Sequence, residues 1–181
     1  MLTEIIFVIV FSYIFGSIPF GLILTKLFAN TDIRKIGSGN IGATNVLRSG
    51  NKYLALFTLL LDILKGYLAV YITQLYFHEH VQISALIVFL GHIFPLWLNF
   101  KGGKGVATYL GVLLGLSLSL SFLFIVTWII VALLFKYSSL SSMFATLTVF
   151  IVNILKHNAI SIINKNLLDE NNLTFILFVF L

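Results

Sequence analysis

The chain has 181 residues, of which 60% are hydrophobic and only 9% charged, and its mean hydropathy is +1.09. A soluble domain of this size does not have such a composition, so the sequence predicts an integral membrane protein with several helical spans. The few basic residues flank apolar segments, which argues against a nucleic-acid partner. Cysteine is absent, which excludes disulfides and thiolate chemistry.

The first span is predicted at residues 5–24, about the length that a bilayer core requires. Residues 16–21 interrupt it, because Pro19 lacks a backbone N–H and its ring disfavours the preceding helical turn. A simple kink and a break that faces a polar cavity both remain open.

A polar loop follows at residues 26–52. It contains five basic residues and one acidic residue, which predicts a cytoplasmic location. Within it, residues 37–48 form a glycine-punctuated stretch whose backbone N–H groups can turn toward one point and bind an anion. The side-chain donors there are Ser38, Asn40, Thr44, Asn45 and Arg48. An ordinary solvated loop remains the alternative.

The second span is predicted at residues 53–77 and the third at residues 81–100. Asp62 and Lys65 lie three residues apart on one helical face, and we expect a structural pair rather than a catalytic one. The turn at His78–His80 is interpreted as hydrated rather than metal-binding. Trp97, near the end of the third span, suits the membrane interface.

A second glycine-rich loop occupies residues 101–108. Lys101 and Lys104 are separated by two glycines, and a helix is expected to start directly after them. The pattern predicts ammonium groups beside exposed backbone N–H groups, an arrangement suited to phosphate. It is not a P-loop, because the required glycine spacing and the Lys-Ser/Thr pair are absent.

The rest of the chain is predominantly apolar. Residues 106–135 carry no charge and suit either one tilted helix or a hairpin of two, and the distribution of basic residues slightly favours one helix. Hydroxyl-rich residues 136–142 precede a span at 143–155, for which an earlier start near Ser139 is left open. A polar connection at 156–172 and an apolar stretch at 173–181 follow. That stretch is too short to cross as a helix, so we expect the chain to lack its C-terminal end.

Five segments together resemble the bacterial acyl-phosphate:glycerol-3-phosphate acyltransferases: residues 16–21, 37–48, 62–66, 91–108 and 137–142. The resemblance covers about residues 5–145. It implies one all-α membrane domain over residues 1–181, a bundle of about seven helices with the last one truncated. The glycine-rich loops would face the cytoplasm from the bacterial inner membrane. The resemblance also favours the hairpin for residues 106–135.

The implied reaction transfers a fatty acyl group from acyl phosphate to the 1-hydroxyl of sn-glycerol 3-phosphate, in phospholipid synthesis. The products are lysophosphatidate and phosphate, and neither cofactor nor metal is expected. Direct binding of the enzyme that makes acyl phosphate is left open. The residues expected to bind substrate are Ser38, Gly39, Asn40, Gly42, Thr44, Asn45, Arg48, Lys101, Gly102, Gly103 and Ser139.

Three residues are expected to act in catalysis. Lys104 would stabilise the charge of the leaving phosphate, and Ser142 would complete the site with a hydroxyl group. His92 would shuttle a proton, and the alternative is a buried histidine that hydrogen-bonds across helices. Because no strong base is evident, a phosphate of the substrate itself is a candidate acceptor for the hydroxyl proton.

The sequence departs from the family at its end. The family's last helix leads into a short basic tail with His, Asn and Glu near the site, which this chain does not reach. His157 and Asn158 precede the last apolar stretch and do not correspond to that tail. An inactive shortened member of the family and an organic-phosphate transporter are therefore kept as alternatives.

Overall fold

The computed structural model describes residues 1–163, with side chains to Lys156, and every regular element in that range is helical. Three short 3-10 turns lie at Ile33–Lys35, His78–His80 and Leu96–Leu98. The prediction of an all-α fold is confirmed. The α-helices are α1 (Leu2–Ser17), α2 (Phe20–Ala29), α3 (Ala43–Arg48), α4 (Lys52–Tyr76), α5 (Val81–Ile93), α6 (Val106–Leu116), α7 (Leu118–Phe135) and α8 (Ser138–Ile163).

Six segments of the described chain are suited to the membrane. Five are long and apolar enough to cross it: Leu2–Ala29, Lys52–Tyr76, His78–Leu98, Leu118–Phe135 and Ser138–Lys156. The sixth, α6, is apolar but shorter. A seventh segment, predicted at residues 173–181, lies outside the described residues.

The chain divides into two compact units, Met1–Leu116 and a second that begins at Ser117. In the first unit α1 packs against α5 and α4 packs against α6. A side-chain carbon at Gly16 would overlap the Val88 carbonyl oxygen, and one at Gly66 would overlap the Thr108 carbonyl oxygen. These glycines therefore let the paired helices approach closely, as in many membrane bundles. The single domain over residues 1–181 stays a prediction.

The break in the first span lies between α1 and α2. Ile18 has extended backbone angles and Pro19 precedes the first residue of α2. The indole N–H of Trp97 donates to the Ser17 carbonyl oxygen at 2.7 Å, and Lys65 Nζ donates to the Ile18 carbonyl oxygen at 2.8 Å. Since polar side chains satisfy the freed carbonyls, the break faces protein and is not a simple kink.

Residues 106–135 form two helices, α6 and α7, and the single-helix reading is wrong. The helical path stops at Ser117, whose φ of −161° and ψ of 114° are extended. The Ser117 hydroxyl accepts a hydrogen bond from the Leu120 N–H at 3.4 Å and caps the start of α7. A serine in this role supplies an acceptor to the first turn of a helix, which apolar neighbours cannot do.

The second unit contains α7 and α8, which pack against each other. α8 begins at Ser138, next to the earlier start near Ser139 that the sequence left open, and the hydroxyl groups of Ser141 and Ser142 donate to the carbonyls of Tyr137 and Ser139. α8 continues to Ile163, so the first part of the predicted polar connection at 156–172 is helical. The remainder of that connection lies outside the described residues.

Candidate functional site

The first glycine-rich loop folds around the side chain of Asn45. This side chain is buried, and its Nδ2 donates to the carbonyl oxygens of Ile33, Ile36 and Asn40 at 3.0, 2.9 and 2.8 Å. Its Oδ1 accepts a hydrogen bond from the Ser38 N–H at 2.9 Å. Because both ends of the amide are engaged inside the loop, Asn45 shapes the loop and does not project from it.

Other backbone N–H groups of this loop are also engaged internally. The Gly42 N–H donates to Asn40 Oδ1 at 2.8 Å, and the Gly39 N–H donates to the Ile36 carbonyl at 2.9 Å. The predicted cradle of open N–H groups is therefore wrong for Ser38, Gly39 and Gly42. Gly39 is needed for its positive φ of 71°, a conformation that L residues rarely adopt.

The second glycine-rich loop rests on the end of α5. The Gly102 N–H donates to the Ile93 carbonyl at 3.0 Å, and the Gly103 N–H donates to the His92 carbonyl at 3.1 Å. A side-chain carbon at Gly103 would overlap Nε2 of the His92 imidazole. The prediction of exposed N–H groups at these two glycines is wrong, because helix α5 uses them to hold the loop.

Both loops reach the same end of the first unit. Ile33, Ile41 and Val46 of the first loop form a buried cluster with residues of α2 and α4, and Leu98 packs against that cluster. Leu98 lies directly before the second loop, and its carbonyl accepts the Lys101 N–H at 3.1 Å. The exposed polar side chains of the two loops at this end are Ser38, Thr44, Arg48, Lys101 and Lys104.

Three buried polar side chains, Asp62, Lys65 and His92, lie beneath the second loop. Lys65 Nζ is 2.8 Å from Asp62 Oδ1, and their side chains are 1% and 3% exposed. The predicted pair is therefore confirmed as a buried ion pair. His92 Nδ1 lies 3.7 Å from the same oxygen, too far for a hydrogen bond.

His92 is buried, as one of its two readings predicted, yet its Nδ1 makes no hydrogen bond within the described residues. Its Nε2 lies beneath Gly103. One nitrogen lies near Asp62 and the other lies beneath Gly103, and the proton-shuttle role of His92 stays a prediction. Its geometry favours a role in supporting the loop.

The basic residues of the two loops differ in whether a carboxylate pairs with them. Arg34 donates to Asp32 through Nε at 2.9 Å and through Nη2 at 2.7 Å. This hydrogen-bonded pair holds the pKa of the Asp32 carboxyl below its usual range and raises the pKa of Arg34. By contrast, no carboxylate among the described residues pairs with Arg48 or with the lysines of the second loop.

Ser139 and Ser142 belong to the second unit, in the first two turns of α8. Ser139 is exposed, and the Ser142 hydroxyl donates to the Ser139 carbonyl oxygen at 2.8 Å. Their membership in the site stays a prediction.

The arrangement defines a class of protein: a membrane helix bundle with hydroxyl and cationic side chains gathered at one end, suited to an anionic substrate. The chain matches the family model of glycerol-3-phosphate acyltransferase over residues 6–181. It therefore belongs to the glycerol-3-phosphate acyltransferase family, and the predicted resemblance is confirmed.

Two relatives bear that name. The chain is 54% identical over 146 residues to a glycerol-3-phosphate acyltransferase of Pelagibacter ubique (strain HTCC1062), which covers 81% of this chain and 76% of the relative. It is 60% identical over 138 residues to one of Sinorhizobium medicae (strain WSM419), with coverage of 76% and 68%.

Solved structures agree. The chain resembles the crystal structure of PlsY (YgiH), an integral membrane glycerol 3-phosphate acyltransferase, in its glycerol 3-phosphate form. The TM-score is 0.85 at 34% identity, over 97% of this chain and 84% of that one. The lysophosphatidic acid form of PlsY gives a TM-score of 0.83 over 97% and 83% of the two chains. The confirmed fold is thus that of an integral membrane acyltransferase.

Proposed function

We propose that this protein transfers a fatty acyl group from acyl phosphate to the 1-hydroxyl of sn-glycerol 3-phosphate and releases lysophosphatidate and phosphate. Family membership and the solved relatives with glycerol 3-phosphate and lysophosphatidic acid support the acceptor and the product. The observation that carries the proposal is the group of exposed side chains, including Arg48, Lys101 and Lys104, at one end of the first unit.

The chemistry requires positioning and charge stabilisation more than a strong base. The glycerol hydroxyl oxygen forms a bond to the acyl carbonyl carbon, the anhydride C–O bond breaks, and phosphate leaves with the bonding electrons. A phosphate oxygen of the substrates takes the hydroxyl proton. Two phosphates must come close together, so Arg48, Lys101 and Lys104 would reduce their repulsion, with Lys104 at the leaving group.

The remaining proposed residues divide by role. Ser38 and Thr44 are exposed and would donate to the glycerol phosphate, while Asn40 and Asn45 hold the first loop in shape. Gly39, Gly42, Gly102 and Gly103 would contribute through loop geometry. From the second unit, Ser139 and Ser142 are proposed to supply hydroxyl groups.

An organic-phosphate transporter is not favoured. In such a protein the cations would lie near the bilayer midplane between helix halves. Here Arg48 is the last residue of a short loop helix, and Lys101 and Lys104 lie in the loop between α5 and α6. The position of the cations therefore supports chemistry at the membrane surface.

The decisive experiment supplies detergent-purified protein with acyl phosphate and glycerol 3-phosphate and follows both products. We expect lysophosphatidate and phosphate in equal amounts, and no product when acyl-CoA or acyl carrier protein replaces the donor. Arg48→Ala should lose most of the rate, whereas Lys52→Ala, a nearby exposed cation outside the proposed site, should retain it. Folded protein that makes no lysophosphatidate would refute the proposal.

We also propose that the site faces the cytoplasm from the bacterial inner membrane. The natural chain has no cysteine, so single cysteines can be labelled without background. Lys35 and Glu79 are exposed, and they lie in the segments that precede and follow α4. Each is replaced by cysteine in a separate variant, Lys35→Cys and Glu79→Cys. In intact cells an impermeant maleimide should label position 79 but not position 35, and the reverse pattern would overturn the orientation.

A further inference from the structure

A buried polar network connects the break in the first span to the second glycine-rich loop. Lys65 bonds to the Ile18 carbonyl oxygen and pairs with Asp62, each at 2.8 Å. His92 Nδ1 lies 3.7 Å from the carboxylate oxygen that Lys65 contacts. All three side chains are at most 4% exposed, so the network is sealed from solvent and lipid.

The loop rests on the last member of this network. The carbonyls of His92 and Ile93 accept the N–H groups of Gly103 and Gly102, and Gly103 lies directly on the imidazole. A rotation of that ring would therefore move the backbone that carries Lys101 and Lys104. The position of the loop backbone relative to α5 would then change with the orientation of the His92 ring.

We propose that Asp62, Lys65 and His92 are positioning residues for the acyl transfer. The ion pair fixes the imidazole of His92, and the imidazole fixes the loop that presents Lys101 and Lys104 to substrate phosphate. The catalytic consequence rests on the proposed function, whereas the effect on the loop can be measured without it.

An ion pair is a costly way to fill this space, which is why stability alone does not account for it. Well-packed apolar residues of similar volume are often at least as stabilising as a buried pair. Ionisable groups at membrane depth are expensive and mark functional sites. The pair also fixes positions: Lys65 contacts both the carboxylate and a carbonyl of the broken helix, which holds the carboxylate oxygen 3.7 Å from His92 Nδ1.

The test compares a charge-neutral double variant, Asp62→Asn with Lys65→Met, with the matched control Ser84→Ala. Ser84 accepts from Ser12 Oγ at 2.8 Å and donates to the Ala69 carbonyl at 3.0 Å, so it is also a buried polar contact between helices of the first unit. Three quantities are measured in detergent: the thermal unfolding midpoint, the amide exchange rates of Gly102 and Gly103, and kcat/KM.

The expected result separates positioning from stability. Because the double variant leaves no unpaired buried charge but takes the Lys65 donor from the Ile18 carbonyl, its unfolding midpoint should fall only by the loss of about one hydrogen bond. Its Gly102 and Gly103 amides should nevertheless exchange at least about tenfold faster, and kcat/KM should fall about 100-fold. Ser84→Ala should change neither these two exchange rates nor kcat/KM by more than about twofold.

A double variant with wild-type exchange and wild-type kcat/KM would overturn the proposal, because the pair would then serve stability only. If the wild-type chain shows no acyl transfer, the proposed function fails, but the exchange rates still decide the positioning role. If the double variant does not fold, Asp62→Glu takes its place, since it keeps the charge and displaces the carboxylate by one methylene. The same changes in exchange and kcat/KM are expected for it.

Discussion

The two glycine-rich loops are held in their conformations by different hydrogen-bond partners. The first loop is held by its own side chains, since Asn45 bonds to three loop carbonyls and Asn40 to the Gly42 N–H. The second loop is held by another element, because Gly102 and Gly103 donate to carbonyls of α5. Gly39 therefore serves the conformation of the first loop, whereas Gly102 and Gly103 allow the second loop to approach α5 closely.

This difference has a consequence for function. A loop closed by its own hydrogen bonds keeps its shape when neighbouring helices shift. A loop bonded to the end of a helix follows that helix and the network beneath it. We therefore expect the position of the second loop, which carries Lys101 and Lys104, to be the more sensitive to substitutions outside the loop.

The largest effect is expected when a second-loop cation is removed. Lys104→Ala should lower kcat by about 1,000-fold, because a preorganised charge at the leaving phosphate is lost. The measurement is steady-state release of lysophosphatidate by detergent-purified protein. Lys35→Ala, an exposed cation of the other loop that lies outside the proposed site, is the control. A Lys104→Ala variant with the full rate would remove its assigned role.

The second-largest effect is expected where the second loop lies against the His92 ring. Gly103→Ala should lower kcat/KM by about 100-fold, because the added methyl group overlaps the His92 ring and lifts the loop. Gly39→Ala is the comparison in the first loop: an alanine in this left-handed conformation costs about 1–2 kcal/mol, and its added carbon would make one tight contact, 3.3 Å from the Arg34 carbonyl oxygen. Equal losses in the two variants would contradict the distinction between the loops.

A stability effect is expected in the self-closed loop. Asn45→Ala should lower the free energy of unfolding by about 3 kcal/mol, because four backbone groups lose their partner in a buried setting. Asn40→Ala removes only the contact to the Gly42 N–H and should cost about 1 kcal/mol. Chemical denaturation in mixed micelles measures both values, and similar costs would show that Asn45 does not organise the loop.

The smallest effect is expected at the edge of the first loop. Asp32→Asn breaks an exposed ion pair and should change activity by no more than about twofold. Because folding lowers the pKa of Asp32, the small stabilisation is complete above the unfolded pKa of about 3.9 and is lost only as the pH falls toward the folded value. Unfolding midpoints of variant and wild type, compared from pH 7 downward, test this sign.

Several features followed from sequence patterns. Pro19 predicted the break in the first span, because proline removes a backbone donor wherever it occurs. The three-residue spacing of Asp62 and Lys65 predicted their pairing, because residues at that spacing share a helix face. The start of α7 was less predictable, since Ser117, Ser119 and Ser121 are all candidate caps and only the structure shows that Ser117 accepts from the Leu120 N–H.

The sequence named candidate site residues, but it did not predict their contacts. The stretch at 37–48 was recognisable as a polar loop, yet only the structure shows that Asn45 faces inward while Arg48 stays exposed. The reason is that an amide suits both a substrate and a backbone carbonyl, and composition does not distinguish the two partners. Similarly, no local pattern joined Trp97 or Lys65 to the broken helix, because their partners lie 80 and 47 residues away in the chain.

The sequence by itself determined that this is a helical membrane protein, because apolar length and local spacing act over a few residues, and the resemblance of five segments indicated the glycerol-3-phosphate acyltransferase family. The tertiary structure decided how the glycine-rich loops use their N–H groups. It also decided that His92 is buried beneath Gly103 and that Lys65 bonds to a carbonyl of the broken helix. Those outcomes depend on which distant carbonyl or carboxylate comes within about 3–4 Å, a quantity that is fixed only when the helices pack.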